Sequence, residues 1–134
     1  MKASLVRQVW ERAKGRCEYC QMGQEFEKIT YEVDHIISRK HGGPTVAGNL
    51  ALSCAHCNGF KGSDIAGRDP KTRKLTPFFH PRRHKWAYHF GWEGPYLRGR
   101  SAIGRVTVSL FNINNVFRVE LREELIEEGV FPPQ

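Results

Sequence analysis

Apolar side chains recur at helical spacing near the N-terminus. Leu5, Val6, Val9, Trp10 and Ala13 line one side of residues 4–14, with Ser4 placed to cap the start and Gly15 to stop it. Residues 29–37 change pattern: Ile29, Thr30, Tyr31, Val33, Ile36 and Ile37 crowd β-branched and aromatic residues together and predict a strand. A polar loop from Ser38 to Gly48 follows, punctuated by Gly42-Gly43-Pro44, and residues 49–53 predict a short second strand. A helix is expected to open near Asn58, although Gly59 and Gly62 weaken it.

The second half is less regular. Residues 64–85 predict no element. Trp86, Phe90, Trp92 and Tyr96 suggest a small packed unit with a hairpin turning at Glu93-Gly94-Pro95. From Ser101 the pattern fits two elements. Val106, Val108 and Leu110 alternate as in a strand, whereas Ile103, Val106, Leu110 and Phe111 fit a helix. Residues 116–128 predict an amphipathic helix with Val116, Val119, Leu125 and Ile126 inward, ended by Gly129.

At 134 residues the chain suits one domain, or one domain with an extension, and its 11% aromatic content excludes disorder throughout. No apolar run approaches the roughly 18 residues a membrane span needs. The first eight residues hold no signal-type apolar core. A cytoplasmic protein without membrane contact is therefore expected. The net charge of +7 is uneven: residues 1–62 carry +3, residues 63–105 carry +7 and residues 106–134 carry −3. A basic middle of this kind is the electrostatic footprint of a nucleic-acid binder.

The four cysteines sharpen the picture. They form two pairs, Cys17-Glu18-Tyr19-Cys20 and Cys54-Ala55-His56-Cys57. Two C-x-x-C pairs supply the four thiolates of a closed tetrahedral Zn2+ site. Disulfides are disfavoured without a secretory signal. His56 is left out of the ligand set because four sulfurs already complete the shell.

Between the pairs stand Asp34 and His35, adjacent at a strand end, then Asn49, and Asn58 follows Cys57 directly. A carboxylate beside an imidazole offers a hard oxygen ligand for a divalent cation and a group that takes up a proton near neutral pH. Neighbours in a regular strand point to opposite faces, so the two share a site only where the strand ends.

The order Val33-Asp34-His35-Ile36, Gly42-Gly43, Asn49-Leu50, Cys54-Ala55-His56-Cys57-Asn58 and Lys61 resembles the HNH (ββα-metal) nuclease family, and Cys17 and Cys20 match its zinc-containing branch. Phe79-His80-Pro81-Arg82-Arg83, Trp86, His89-Phe90 and residues 103–108 are similar to the C-terminal part of small bacterial and phage HNH endonucleases. The resemblance implies an α+β fold: a ββα-metal, treble-clef-like core around a four-cysteine zinc site, with an N-terminal helix and a C-terminal hairpin-plus-helices extension. It also makes residues 101–113 helical. Residues 1–66 would be the zinc-stabilised core, and residues 67–134 a basic linker and extension packed as part of the same protein.

The resemblance further implies site roles. His35 would be the general base, Asn49 would orient the loop that carries it, and Asp34 and Asn58 would hold one catalytic Mg2+ or Mn2+. Cys17, Cys20, Cys54 and Cys57 would hold structural zinc. Arg39, Lys40, Lys61, Arg82 and Arg83 are candidate phosphate contacts. The expected function is metal-dependent hydrolysis of phosphodiester bonds in DNA. The alternatives are an RNA-directed nuclease and a non-catalytic zinc-finger-like module that binds nucleic acid. A binding module has no need of Asp34, His35 and Asn58 together.

Overall fold

The computed structural model describes residues 1–134. The chain folds as two compact units, one of residues 1–65 with 80–83, the other of residues 66–79 with 84–134.

The first unit opens with helix α1 (Ala3–Ala13). It starts one residue earlier than the apolar stripe predicts. The carbonyl of Lys2 accepts from Leu5 and Val6, so Lys2 caps the helix, while Ser4 lies inside the first turn. Lys14 and Gly15 both take left-handed conformations and end it. Val9 is fully buried on the inner face. Strands β1 (Glu32–His35) and β2 (Leu50–Ser53) pair antiparallel, with Asp34 opposite Ala51 and His35 opposite Leu50.

β1 is shorter than the nine residues its β-branched character suggests, because two side-chain amides take over the backbone at its ends. Gln24 accepts from the N–H of Tyr31 at 2.6 Å and donates to the carbonyl of Ile29. Asn49 accepts from the N–H of Ile37 at 2.9 Å. Helix α2 (Ala55–Lys61) starts three residues before Asn58, since the Cys54 sulfur caps it by accepting from the Cys57 N–H. The order is β1, β2, α2, with Val9, Tyr19, Met22, Leu50 and Leu52 filling the core beside the cysteines.

The second unit begins with a hairpin where no element is predicted: β3 (Ala66–Arg68) and β4 (Leu75–Pro77). Its turn is organised by Asp69, which is fully buried. The Asp69 carboxylate accepts from the backbone of Lys71 and Thr72 and from the Thr72 hydroxyl, and Arg105 clamps both of its oxygens at 3.0 and 2.9 Å. A short helix α3 (Trp86–His89) leads into hairpin β5 (Phe90–Glu93) and β6 (Tyr96–Gly99), turning at Gly94-Pro95 as expected. Gly94 there adopts a φ of 57°, which favours glycine.

The pattern from Ser101 resolves as helix: α4 (Ala102–Leu110), capped by the Ser101 hydroxyl, which accepts from Gly104. α5 (Val116–Glu127) follows, capped by Asn115. Val119 and Leu125 face inward as predicted, but Val116 is exposed. Trp86, Phe90 and Trp92 do pack together, whereas Tyr96 lies exposed outside the cluster. The mixed helices and short hairpins, with the four cysteines gathered around β1–β2–α2, make this an α+β fold with a ββα-metal core. No helix is long and apolar enough to cross a membrane.

Candidate active site and cysteine cluster

The four cysteines converge although 33 residues separate the pairs. Their sulfurs lie within 4.8 Å of one another, all four side chains are buried, and Cys20 and Cys54 stand 3.8 Å apart. A disulfide requires sulfurs at about 2.05 Å. A tetrahedron built on zinc–sulfur bonds of about 2.3 Å has edges of about 3.8 Å, so the cage fits that ion. As packed thiols, Cys54 and Cys57 are pushed up, chiefly by hydrogen bonding with Cys17 and Cys20 and then by burial. A cation among the four sulfurs reverses that penalty and makes four thiolates stable there. The first knuckle is tied to β2: Glu18 donates its N–H to the carbonyl of Leu52 and accepts from the Leu52 N–H.

β1 carries Glu32 and Asp34 on one side and Val33 and His35 on the other, by strand alternation. α2 packs on the Glu32–Asp34 side, and its residues Asn58 and Lys61, three apart on one helix face, meet that pair. Asn58 donates its amide N–H to Glu32 at 2.8 Å. Lys61, only 2% exposed, reaches both oxygens of Asp34 at 3.2 and 3.1 Å and the carbonyl of His35 at 3.0 Å. Tyr19, inside the first cysteine knuckle, donates its hydroxyl to Asp34 at 3.1 Å.

Burial pushes the Asp34 carboxyl up, while Lys61, then Tyr19 and His35, work against that rise. Burial, then Asp34, drives the Tyr19 phenol well above its ordinary range, which keeps it a donor. One oxygen of Asp34 accepts from both Tyr19 and Lys61, and the other accepts only from Lys61. A carboxylate oxygen has two acceptor directions, so the second has one that no protein donor fills. The Asp34 carboxylate and the Asn58 amide both offer hard oxygens of the kind Mg2+ or Mn2+ takes.

His35 closes β1 on the opposite side. Its Nε2 lies 2.8 Å from the hydroxyl of Thr45 in the following loop. That loop is pinned by Asn49, whose amide donates to the carbonyls of Ile37 and Pro44, both at 2.9 Å. Gly43 lies so close to Ile37 that a Cβ would sit 1.7 Å from its carbonyl oxygen, so only glycine fits. The strand end thus brings Asp34, His35, Asn49 and Asn58 onto one β1–β2–α2 scaffold, with Asp34 and Asn58 on the helix side and His35 on the loop side.

The candidate phosphate contacts divide. Arg39 and Lys40 are exposed on the turn after Ser38, and Arg83 is exposed. Lys61 is corrected: its ammonium is buried against Asp34 rather than open to phosphate. Arg82 is corrected as well, being half-buried and paired with Glu18. Burial, then Arg12, lowers the Arg82 guanidinium to about 10. Sequence reasoning missed Tyr19, Thr45 and Glu32. None carries a motif signal, because each acts through a partner distant in sequence.

Residues 17–64 match the family model described as HNH endonuclease. The chain is also similar to the Septu protein PtuB of Bacillus thuringiensis, 26% identical over 118 residues, which cover 87% of this chain and 43% of that protein. It therefore spans less than half the length of this curated relative. No solved structure matches.

Proposed function

We propose that the protein is a metal-dependent endonuclease that hydrolyses phosphodiester bonds in DNA at the β1–β2–α2 site. The observation that carries this reading is a buried carboxylate and a carboxamide on the helix side of β1, with an imidazole and a second carboxamide on its loop side, all on one scaffold clasped by four sulfurs. A module that merely binds nucleic acid has no use for a desolvated, lysine-paired aspartate behind a part-exposed histidine.

Hydrolysis needs a nucleophile freed of its proton, and the His35 ring takes that proton as general base, an effect worth roughly 10²–10⁴-fold. Asp34 and Asn58 would hold one Mg2+ or Mn2+, whose chemistry there is to polarise the phosphoryl oxygen and steady the leaving alkoxide. Lys61 works against the upward push that burial gives the Asp34 carboxyl and fixes the main chain of His35. Asn49 holds the loop that faces the imidazole. Cys17, Cys20, Cys54 and Cys57 hold structural Zn2+, and Tyr19 links their knuckle to Asp34. Arg39, Lys40 and Arg83 grip flanking phosphates. Residues 1–66 act as the nuclease core and residues 67–134 as its basic extension.

The test is a magnesium titration of plasmid nicking. Wild-type protein converts supercoiled plasmid only with added Mg2+ or Mn2+, and Asp34→Ala and Asn58→Ala raise the metal concentration needed or abolish cleavage. Cleavage in excess chelator, or variants with unaltered metal dependence, overturns the assignment.

A further inference from the structure

The loop between the two strands fixes more than backbone. Asn49 donates its side-chain amide to the carbonyl of Pro44 at 2.9 Å and its own N–H to the carbonyl of Val46 at 2.9 Å. Thr45 lies between those two anchored residues. Although exposed, it is therefore held from both sides, and its hydroxyl stands 2.8 Å from the Nε2 of His35. Of the two ring nitrogens, only Nε2 has a protein partner.

We infer that Thr45 is a positioning residue that fixes the orientation of the His35 ring through Nε2 and leaves Nδ1 as the nitrogen open to the attacking water. This rests on the reading of His35 as general base. With Nε2 occupied by the hydroxyl, a proton arriving from water has Nδ1 to go to, and Nδ1 must then be unprotonated beforehand. For Nδ1 to act as base, the one N–H of the neutral ring must sit on Nε2, where the Thr45 oxygen can accept it. The threonine hydroxyl, accepting there, keeps its own proton for another acceptor. Asn49 thus acts on the base through Thr45, which gives the middle carboxamide a defined mechanical role. Asn49 sets the loop, Thr45 sets the ring, and the ring presents Nδ1.

Two substitutions on the full chain test this. Thr45→Val keeps the shape and removes the hydroxyl, and Thr45→Ser restores a hydroxyl without the methyl. Zinc content and melting temperature should match wild type in both, since the side chain is exposed. Thr45→Val should lower kcat about 10–100-fold, a part of the roughly 10²–10⁴-fold that general base catalysis supplies, with KM little changed. Thr45→Ser should recover most of it. A long-range 1H–15N spectrum of the zinc-bound protein without added magnesium should show the neutral His35 ring protonated at Nε2. Wild-type kcat in Thr45→Val, a Thr45→Ser variant as slow as Thr45→Val, or a ring protonated at Nδ1 would each overturn the proposal. Failure of the underlying reading looks different: there, His35→Ala itself cleaves normally.

Discussion

Lys61 carries more of the site than its place at a helix end suggests. Its ammonium is shared among two oxygens of Asp34 and the carbonyl of His35, and almost none of it is exposed. Removing one partner of a buried pair leaves the other charge uncompensated, so Lys61→Met should destabilise the protein by about 3–5 kcal/mol. Tyr19→Phe removes a single donor to an oxygen that Lys61 still serves, and should cost only about 1 kcal/mol. Urea unfolding of the zinc-saturated proteins measures both, and equal losses would show that Lys61 is not the main support of Asp34. A lysine at this position reads in sequence as a solvated cation, because lysine normally keeps its head in water. Its acceptor stands 27 residues away, beyond any local pattern.

At the scale of elements, the β1–β2 loop and the β3–β4 hairpin make contrasting predictions. Gly43→Ala forces a Cβ against the Ile37 carbonyl, so the loop that Asn49 pins must shift. Cleavage should fall at least tenfold while zinc content stays at one ion per chain, and full activity would mean the loop does not govern the site. In the hairpin, Arg105 first, then Thr72 and the neighbouring backbone, hold the Asp69 carboxyl well below the usual carboxylate range. The folded chain thus keeps Asp69 ionised where the unfolded chain protonates it. Its contribution is complete above about pH 4, the unfolded carboxylate value, and shrinks as the pH falls below that. The melting-temperature gap between wild type and Asp69→Asn should narrow from pH 7 to pH 3, and a constant gap would contradict this linkage. The cysteine knuckles, β1, β2 and the β5–β6 turn were legible because their signals are local: ligand spacing, β-branched runs, a glycine beside proline. The β3–β4 hairpin was not, since its strands have three residues each and its turn is set by an arginine 36 residues on. Nor were the true ends of β1, which two side-chain amides decide.

For the whole molecule, the uneven charge does not translate directly into free cations. Arg82, Arg105 and Lys61 answer Glu18, Asp69 and Asp34. Arg39, Lys40, Arg83, Lys85, Arg98 and Arg100 remain exposed. Each phosphate contact contributes about 0.9 to the slope of log affinity against log salt. Replacing Arg39 and Lys40 together by alanine should flatten that slope by up to about 2 without altering zinc content, and an unchanged slope would remove the turn from the nucleic-acid surface. Chelating the zinc should unfold the core, visible as loss of the cooperative thermal transition, because the cysteine cage gathers both knuckles. The proposed chemistry depends most on a single imidazole. Single-turnover cleavage of supercoiled plasmid at saturating magnesium, by wild type and by His35→Ala of matched zinc content, measures its part directly. The variant should be slower by at least ~100-fold, within the range general base catalysis supplies. Equal rates would contradict an active site built on His35.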